Sequence, residues 1–352
     1  MAFTDSRRLT GPNVYFNRTA AALEALSQPV DEAQTTLWRS HVENLAAALH
    51  WPEPDFHVKC HAKGASLAFT APSDQLYCAT EINEWSWSAV CGENTQYAPA
   101  FPATDDAVAA LHAFRRMAAA EAEPQLLDFI TDAEAHDWPV LLDEDAVSIG
   151  FGAQTLSWPR HPFPEKPHLP DAVPKAIPIA IVTGSNGKTT SVRLLAAMAR
   201  AAGYACGHNC TDGLFFNGVL VEADDYSGPA GARATLRHPR VEAAILETAR
   251  GGLLRRGLAT DQAVAALVTN ISEDHFGEYG VFSLDDLAKV KLTVAKGLRP
   301  DGRLVLNAGD PMLLRHGEAL RGNTAWFAAD WNCAALQLKL EQGAAVCAVD
   351  NG

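Results

Sequence analysis

The pattern of apolar positions divides the chain into an irregular first part and a regular second part. In the second part, short apolar runs rich in β-branched residues alternate with stretches of helical spacing. Strands are predicted over 179–183, 243–248, 264–270 and 303–307, and helices over 188–202 and 284–298. Strands that alternate with helices predict a parallel sheet covered on both faces.

The first part of the chain has a mixed pattern. Helical spacing predicts one helix over 31–50, with Asp31 as its N-cap. A second helix is predicted over 106–123, with Val108 on its inner face. Residues 56–90 hold short apolar runs separated by small polar residues, which predict strands. These elements together predict a smaller mixed α+β domain.

A proline-rich stretch separates the two parts. Seven of the 20 residues from 159 to 178 are proline. Proline removes a backbone donor and fixes φ, so such a stretch forms neither a helix nor a central strand. We therefore predict an N-terminal domain over 1–157, a semi-rigid linker over 158–178 and a parallel-sheet domain over 179–352.

Composition limits the classes of partner. The 28 Lys and Arg residues against 42 Asp and Glu residues give a net charge of −14, whereas nucleic acids and anionic membranes attract basic surfaces. The chain has no run of about 18 apolar residues and no apolar signal segment near its start. Seven scattered cysteines are typical of free thiols in a reducing compartment. We expect a cytoplasmic protein without nucleic-acid or membrane partners.

The strongest chemical signal is the segment Gly-Ser-Asn-Gly-Lys-Thr-Thr at 184–190, between a predicted strand and a predicted helix. Glycines let backbone N–H groups approach a phosphate, and the helix N-terminus adds partial positive charge. Lys188 would contact the terminal phosphates of a nucleotide, and the Thr189 hydroxyl would bind Mg²⁺. The general P-loop has a glycine six residues before its lysine, where this chain has Val182.

Residues 182–190 resemble the nucleotide loop of the Mur ligases, whose pattern is G-T-N-G-K-T-T. This family includes the folylpolyglutamate synthases and the Mur-type half of the cyanophycin synthetases. Segments similar to the cyanophycin synthetase version are T-D-G at 211–213, E-T-A-R-G-G-L-L-R-R-G-L at 247–258 and N-I-S-E-D-H at 270–275. The resemblance covers about 175–350 and makes 179–352 a Mur-type ATP-binding central domain.

The resemblance extends weakly to the N-terminal region. Residues 8–13 are similar to the start of the cyanophycin synthetases, and residues 125–152 to the stretch before their ATP-grasp core. The ATP-grasp core itself has no counterpart, because the proline-rich linker stands in its place. Mur ligases also carry a third domain that begins with an H-N-x-x-N-like segment, and this chain has no such segment. We expect a longer protein or a separate partner chain to supply that domain.

The resemblance implies a set of site residues for ATP and Mg²⁺. The implied Mg²⁺ ligands are Thr189, Glu247 and His275, and the implied catalytic residues are Lys188, His275 and Lys291. The implied nucleotide-binding residues are Gly184, Ser185, Asn186, Gly187, Lys188, Thr189, Thr190 and Asn307. The family often carries a carbamylated lysine that bridges Mg²⁺, and the residues after Lys291 fit this pattern better than those after Lys289. Gly309 replaces an aspartate that accompanies Asn307 in the family pattern.

The implied reaction activates a carboxylate with ATP as an acyl phosphate, which an amine then attacks. Arginine is the candidate amine by analogy with cyanophycin synthetase, and the other substrate is an amino acid or a peptide. Two alternatives stay open, a folylpolyglutamate-synthase-like ligase and a nucleotide-binding partner subunit without ligase activity. Association into a homo-oligomer is also left open.

Two further features carry less weight. Cys206, His208 and Cys210 alternate as C-x-H-x-C, but a zinc site takes four ligands and no second pair is evident. Trp85 and Trp87 are predicted to pack in a core rather than to form a recognition surface.

Overall fold

The computed structural model describes residues 2–26, 30–61, 63–93, 103, 105–165, 167, 169, 176–273, 276–320 and 322–350. Contacts divide the chain into two compact units. The N-terminal unit comprises Met1–Leu127 and Gly277–Val281, and the second unit comprises Asp128–Phe276 and Phe282–Gly352. Among the described residues, no helix is both long and apolar enough to cross a membrane.

The N-terminal unit is a four-stranded antiparallel sheet with helices on one face. Its strands are β1 (Phe3–Leu9), β2 (Ala20–Leu26), β3 (Phe56–His61) and β4 (Gly64–Thr70), in the order β1-β2-β4-β3. Its helices are α1 (Glu32–Ala48), α2 (Leu76–Val90) and α3 (Ala107–Glu121). Alternate residues of β2 and β4, such as Leu23 and Leu67, are buried in the core with Trp38 and Trp85.

The structure confirms some predicted elements of this unit and corrects others. Helix α1 begins after Asp31, whose side chain accepts a hydrogen bond from the Gln34 N–H, as predicted for the N-cap. The strand prediction for residues 56–90 is wrong beyond β4, because Leu76–Val90 forms the helix α2, in which most residues are buried. Val108, predicted to face inward on α3, is 68% exposed, and Phe114 is buried instead.

The other face of this sheet buries a polar cluster against the chain segment around Gly280, which belongs to this unit. Arg7 Nη2 donates to Glu24 Oε1 over 2.6 Å, and Ser66 Oγ donates to Glu24 Oε2 over 2.7 Å. Gly280 has a φ of +69°, and a Cβ there would lie 2.4 Å from Ser66 Oγ. Its carbonyl accepts a hydrogen bond from Lys59 Nζ over 2.7 Å. Glycine is therefore required at this position for both space and conformation.

The second unit is built on a nine-stranded sheet. Its strands are β8 (Ile179–Thr183), β9 (Cys206–Cys210), β10 (Gly213–Phe216), β11 (Val219–Glu222), β12 (Ala243–Glu247), β13 (Ala263–Val268), β14 (Leu298–Asn307), β15 (Asn323–Ala328) and β16 (Ala345–Ala348). Their order is β11-β10-β9-β12-β8-β13-β14-β15-β16, and all neighbours are parallel except in the pairs β9–β10 and β10–β11. The predicted parallel sheet is confirmed.

The second unit also contains helices, and all but the first of these lie between strands of this sheet. They are α4 (Pro124–Ala135, which begins in the N-terminal unit), α5 (Lys188–Ala201), α6 (Pro229–Arg237), α7 (Arg250–Arg255), α8 (Leu284–Leu292), α9 (Pro311–Gly317) and α10 (Ala334–Glu341). The helix predicted over 284–298 ends early, because a 3-10 turn, Thr293–Gly297, follows α8. A Cβ on Gly297 would lie 2.6 Å from the Ile181 side chain, so the turn packs closely on β8.

A small three-stranded sheet also belongs to the second unit. Its strands are β5 (Val140–Leu142), β6 (Ala146–Ile149) and β7 (Leu156–Pro159). Arg237 of α6 donates from Nε to Ser148 Oγ over 2.9 Å and from Nη2 to the Leu141 carbonyl over 3.0 Å. Because of such contacts the division between the units lies at 127, whereas the sequence predicted a boundary at 157. The first two residues of the predicted linker over 158–178 lie in β7.

Candidate nucleotide-binding site

The P-loop, Glu247 and Asn307 lie at the carboxyl edge of the parallel sheet. Strand β8 lies between β12 and β13, and the chain passes first to β9 on one side and later to β13 on the other. Such a change of direction leaves a crevice outside the carboxyl ends of the strands, where ligands bind in open α/β sheets. The P-loop leaves β8 at this edge, and Glu247 is the last residue of β12.

The two glycines of the P-loop are required for different structural reasons. Gly184 has a φ of +147°, and a Cβ there would lie 1.8 Å from Thr269 Oγ1, so the loop and the segment after β13 approach too closely for any side chain. Gly187 is the N-cap of α5 with a φ of +78°, and a Cβ there would meet no atom within 4 Å. Gly187 is therefore needed for its left-handed conformation, which few other residues adopt.

Residues that follow β13 hold the P-loop in shape. Thr269 Oγ1 donates to the Asn186 carbonyl over 2.6 Å, and the Asn186 N–H donates to Asn270 Oδ1 over 3.0 Å. Ser185 Oγ donates to the Ser272 carbonyl over 3.0 Å. The side chains of Ser185 and Asn186 thus both contact Ser272 in the neighbouring loop. Because these contacts fix the conformation of the P-loop before a nucleotide binds, less conformational entropy is lost on binding.

Lys188 and Thr189 begin α5, where the helix N-terminus favours negative charge. Lys188 Nζ donates to the Ser185 carbonyl over 3.1 Å, so the ammonium lies over its own loop. Thr189 Oγ1 donates to Glu247 Oε2 over 2.9 Å, and Thr190 is exposed on the first turn of the helix. The P-loop therefore places an ammonium, a hydroxyl and a carboxylate together.

Glu247 has a buried carboxyl group. Its side chain is 0% exposed, and its second carboxylate oxygen, Oε1, accepts a hydrogen bond from Thr211 Oγ1 over 3.1 Å. In the part of the chain that the structure describes, no basic side chain forms an ion pair with it. A carboxylate in such surroundings is unfavourable unless a cation compensates its charge. The residues present therefore fit a bound metal ion.

The oxygen atoms of this pair have a spacing suited to Mg²⁺. Adjacent oxygen ligands of an octahedral Mg²⁺, each about 2.1 Å from the ion, lie about 3 Å apart. Thr189 Oγ1 and Glu247 Oε2 are 2.9 Å apart. Thr189 and Glu247 would hold the ion.

Comparison with known proteins agrees with this geometry. Residues 182–341 match the family of the Mur ligase middle domain. This segment is similar to the middle domain of the Mur ligases. It contains all of the P-loop from Val182 onward and Glu247, Lys291 and Asn307.

The similar relatives are ligases that are much longer than the matched segment. Cyanophycin synthetase of Geminocystis herdmanii is 43% identical over 159 residues, which is 45% of this chain and 18% of that protein. Cyanophycin synthetase of Synechocystis is 38% identical over 184 residues, covering 52% of this chain and 21% of that protein. The chain thus spans about a fifth of the length of these curated relatives.

More distant similarities lie within the same family. The UDP-N-acetylmuramoyl-L-alanyl-D-glutamate–2,6-diaminopimelate ligase of Ectopseudomonas mendocina is 33% identical over 129 residues, covering 36% of this chain and 26% of that protein. A solved structure of a ligase of the same name aligns with a TM-score of 0.37 and 22% identity, covering 45% of this chain and 33% of that one.

Asn209 and Thr211 were not predicted as site residues. Asn209 is 0% exposed, and its Nδ2 donates to the Glu247 carbonyl over 2.9 Å and to the Tyr226 carbonyl over 2.7 Å. Thr211 positions the carboxylate of Glu247 through its hydroxyl. Both residues are polar and lie at the carboxyl end of β9, a buried strand, and this position is the feature that could have identified them.

The two lysines of α8 differ in burial. Lys291 is 0% exposed, whereas Lys289 is exposed. Burial of a charged ammonium is unfavourable. Lys289 can therefore be an ordinary surface lysine in contact with water, whereas Lys291 cannot. His275, the predicted third metal ligand, lies outside the described residues.

Asn307 lies at the carboxyl end of β14, next to the end of β13. Its Nδ2 donates to the Thr269 carbonyl over 3.0 Å, and its Oδ1 accepts from the Gly309 N–H over 2.9 Å. The Asn307 amide therefore connects the segment that holds the P-loop to the loop after β14. Its predicted place near an adenine stays a prediction.

The C-x-H-x-C segment forms β9. Among the described residues, no group of three or more His, Cys, Asp or Glu side chains is arranged to hold a metal ion. The His208 ring stacks on Phe215 with centroids 4.7 Å apart, and burial lowers the pKa of His208 to about 4, with smaller effects from Arg200 and Arg193. The seven cysteines are all free thiols, as the sequence predicted.

Proposed function

We propose that this chain is the nucleotide-binding part of an ATP- and Mg²⁺-dependent ligase that joins a carboxylate to an amine. The observation that carries the proposal is the buried Glu247 carboxylate, 2.9 Å from the hydroxyl of Thr189 in the P-loop. A P-loop binds phosphates, and a buried charge beside it binds the accompanying cation. The names of the relatives, two synthetases and a ligase, support the same reaction class.

The proposed reaction has two steps. A carboxylate oxygen of the acceptor attacks the γ-phosphorus of ATP, the bond to the bridging oxygen breaks, and ADP leaves. The amine nitrogen then attacks the acyl carbon of the acyl phosphate, inorganic phosphate leaves, and the nitrogen loses a proton. When bound, Mg²⁺ supplies charge neutralisation at the phosphates.

The residues of the chain bind and orient the reacting groups. Lys188 would leave its contact with the Ser185 carbonyl and donate to the phosphates, and the first turn of α5 would direct its N–H groups at them. Thr189 and Glu247 would hold the metal, with Thr211 fixing the carboxylate. Such positioning accounts for most of the protein's part in phosphoryl transfer.

Three further roles are proposed by resemblance to the family. His275 would be a ligand of a second Mg²⁺, Lys291 would carry a carbamate that bridges the metal ions, and Asn307 would lie near the adenine. The complete burial of Lys291 supports it over Lys289 as the modified residue. The seven free thiols support a cytoplasmic location.

The substrates are proposed from the names of the relatives. Cyanophycin synthetases are the relatives of higher identity, so we propose an amino acid, with arginine as the candidate, as the amine. The acceptor would be an amino acid or a peptide with a free carboxylate. A folylpolyglutamate-synthase-like reaction stays the alternative for the acceptor.

The test is phosphate release from ATP by the 352-residue chain with Mg²⁺, arginine and aspartate-containing peptides, with mass spectrometry of the products. We expect the chain alone to release phosphate slowly at most. This release should require both the amine and the acceptor, and Lys188→Ala should abolish it. Lys289→Ala, which removes an exposed lysine, is the matched control and should keep the rate. ATP hydrolysis that is independent of both substrates would contradict a ligase. Nucleotide binding without any turnover would favour a non-catalytic subunit.

A further inference from the structure

An apolar β-hairpin forms one edge of the large sheet. Strands β10 and β11 are joined by Asn217 and Gly218, whose φ values of +49° and +81° fit the two-residue turn that the Asn-Gly sequence favours. Strand β11 is last in the strand order, and β10 is its one strand partner among the described residues. Its outer edge is therefore open to pairing.

Before Glu222, this edge lacks the charged side chains and prolines that often prevent association at an edge strand. Val219, Leu220 and Val221 are 68%, 47% and 57% exposed. The nine residues 213–221 contain no charged side chain and no proline. Proteins usually protect an exposed edge strand with lysines, prolines or a covering element, because backbone groups on a bare edge pair readily with another strand. The edge of β11 is thus better suited to a partner than to solvent.

The charges at the two ends of β11 are complementary to each other. A Cβ on Gly218 would lie 1.6 Å from Arg200 Nη1, so the Arg200 guanidinium lies against the hairpin turn. Glu222, at the other end of the strand, is exposed. Both ends belong to the same chain, so a strand that runs antiparallel to β11 and has the same sequence meets opposite charges at both ends.

We propose that two copies of this chain associate through β11, with the two strands antiparallel and Leu220 facing Leu220 of the second copy. In this register Val219 lies opposite Val221 of the second copy, and Gly218 lies opposite Glu222. Each Arg200 then lies beside Glu222 of the other chain. The arrangement is two-fold symmetric and closes on itself.

The size and shape of the edge fit a dimer rather than a fibre. The register of β10 and β11 shifts between Leu214 and Phe215, which makes Val221 the extra residue of a bulge. A bulge twists the strand and limits regular pairing to a few residues. A small interface of this kind predicts a dissociation constant of about micromolar or weaker. The inference does not depend on the proposed ligase function.

The first test is sedimentation velocity of the 352-residue chain at concentrations from about 1 µM to about 500 µM, which spans the expected range. We expect the wild type to dimerise with rising concentration. Leu220→Lys should weaken dimerisation at least tenfold, because it places two like charges opposite each other. Met198→Lys, which replaces a residue of α5 that is 64% exposed, is the matched control and should dimerise like the wild type.

The second test is charge reversal at the ends of the strand. Arg200→Glu and Glu222→Arg should each weaken the dimer, and the double variant should restore it, because the two opposite charges exchange places. Circular dichroism verifies that each variant is folded, and Val221→Lys replaces Leu220→Lys if that variant is not. Three results would overturn the proposal. The wild type could stay monomeric at all concentrations, the dimer could persist in both Leu220→Lys and Val221→Lys, or the double variant could dimerise more weakly than both single variants.

Discussion

Replacing Glu247 by glutamine separates the two roles that its buried carboxylate could have. The amide has nearly the same shape but no charge, so it keeps one acceptor oxygen for a threonine hydroxyl. In the wild type the two carboxylate oxygens accept from Thr189 over 2.9 Å and from Thr211 over 3.1 Å, and the side chain is 0% exposed. If the carboxylate binds Mg²⁺, the substitution removes a charged ligand.

If Glu247 binds the metal, the substitution should weaken Mg²⁺ binding but should not lower the stability of the apo protein. An interaction with a charged group contributes about 1.5–3 kcal/mol, which corresponds to a Mg²⁺ midpoint raised about 10- to 150-fold. The apo protein should lose no stability or gain some, because an uncompensated buried charge becomes neutral. A residue that only accepts structural hydrogen bonds would show the reverse, with stability lost and the Mg²⁺ midpoint unchanged.

The assay titrates Mg²⁺ by calorimetry in the presence of a non-hydrolysable ATP analogue and measures Tm separately with a chelator. Glu242→Gln is the matched control, because Glu242 is an exposed glutamate just before the amino end of the same strand, β12. The control should leave the Mg²⁺ midpoint unchanged. An unaltered midpoint in Glu247→Gln, or an equal shift in both variants, would refute the metal-binding role.

Three other predictions test particular parts of the structure. Gly280→Ala should destabilise the protein by about 1–3 kcal/mol in urea unfolding, through both a clash and a positive φ, whereas Gly277→Ala, at a φ of +101°, has the backbone strain without a clash and should have a smaller effect. Because burial lowers the pKa of His208 to about 4, the unfolded chain takes up its proton below about pH 6.5 before the folded protein does. Stability should thus fall by up to about 3 kcal/mol as the pH decreases from about 6.5 to 4, and His208→Phe should remove this loss; an unchanged pH profile in that variant would contradict it. Lys291→Ala should lower the ligation rate without rescue by bicarbonate, while Lys289→Ala should not, and equal rates in the two variants would exclude the proposed carbamate.

The sequence predicted the parts of the fold that depend on local pattern. The P-loop, with its strand before and helix after, follows from glycines and apolar spacing within 24 residues of chain, 179–202. The N-cap at Asp31 likewise depends only on Gln34, three residues away. The Leu76–Val90 helix was missed, because a segment that is buried on most sides has little polar alternation to distinguish helix from strand.

The parts that could not be predicted depend on which strands become neighbours. Thr211 reaches Glu247 because β9 pairs with β12 in the sheet, although 35 residues of chain separate the two side chains. The position of Gly280 against Ser66 joins segments more than 200 residues apart. The domain boundary was misplaced for a similar reason, since Arg237 of α6 holds β5 and β6 in the second unit.

The central claim is that the P-loop of this chain binds the phosphates of ATP together with Mg²⁺. Its most direct test is calorimetric binding of a non-hydrolysable ATP analogue to the wild type and to Lys188→Ala, with Mg²⁺ and with a chelator. We predict binding that depends on Mg²⁺ and weakens about 10- to 150-fold in Lys188→Ala, since a charge-assisted phosphate contact of about 1.5–3 kcal/mol is lost. Binding of equal strength in both proteins, or no binding to the wild type, would contradict the account.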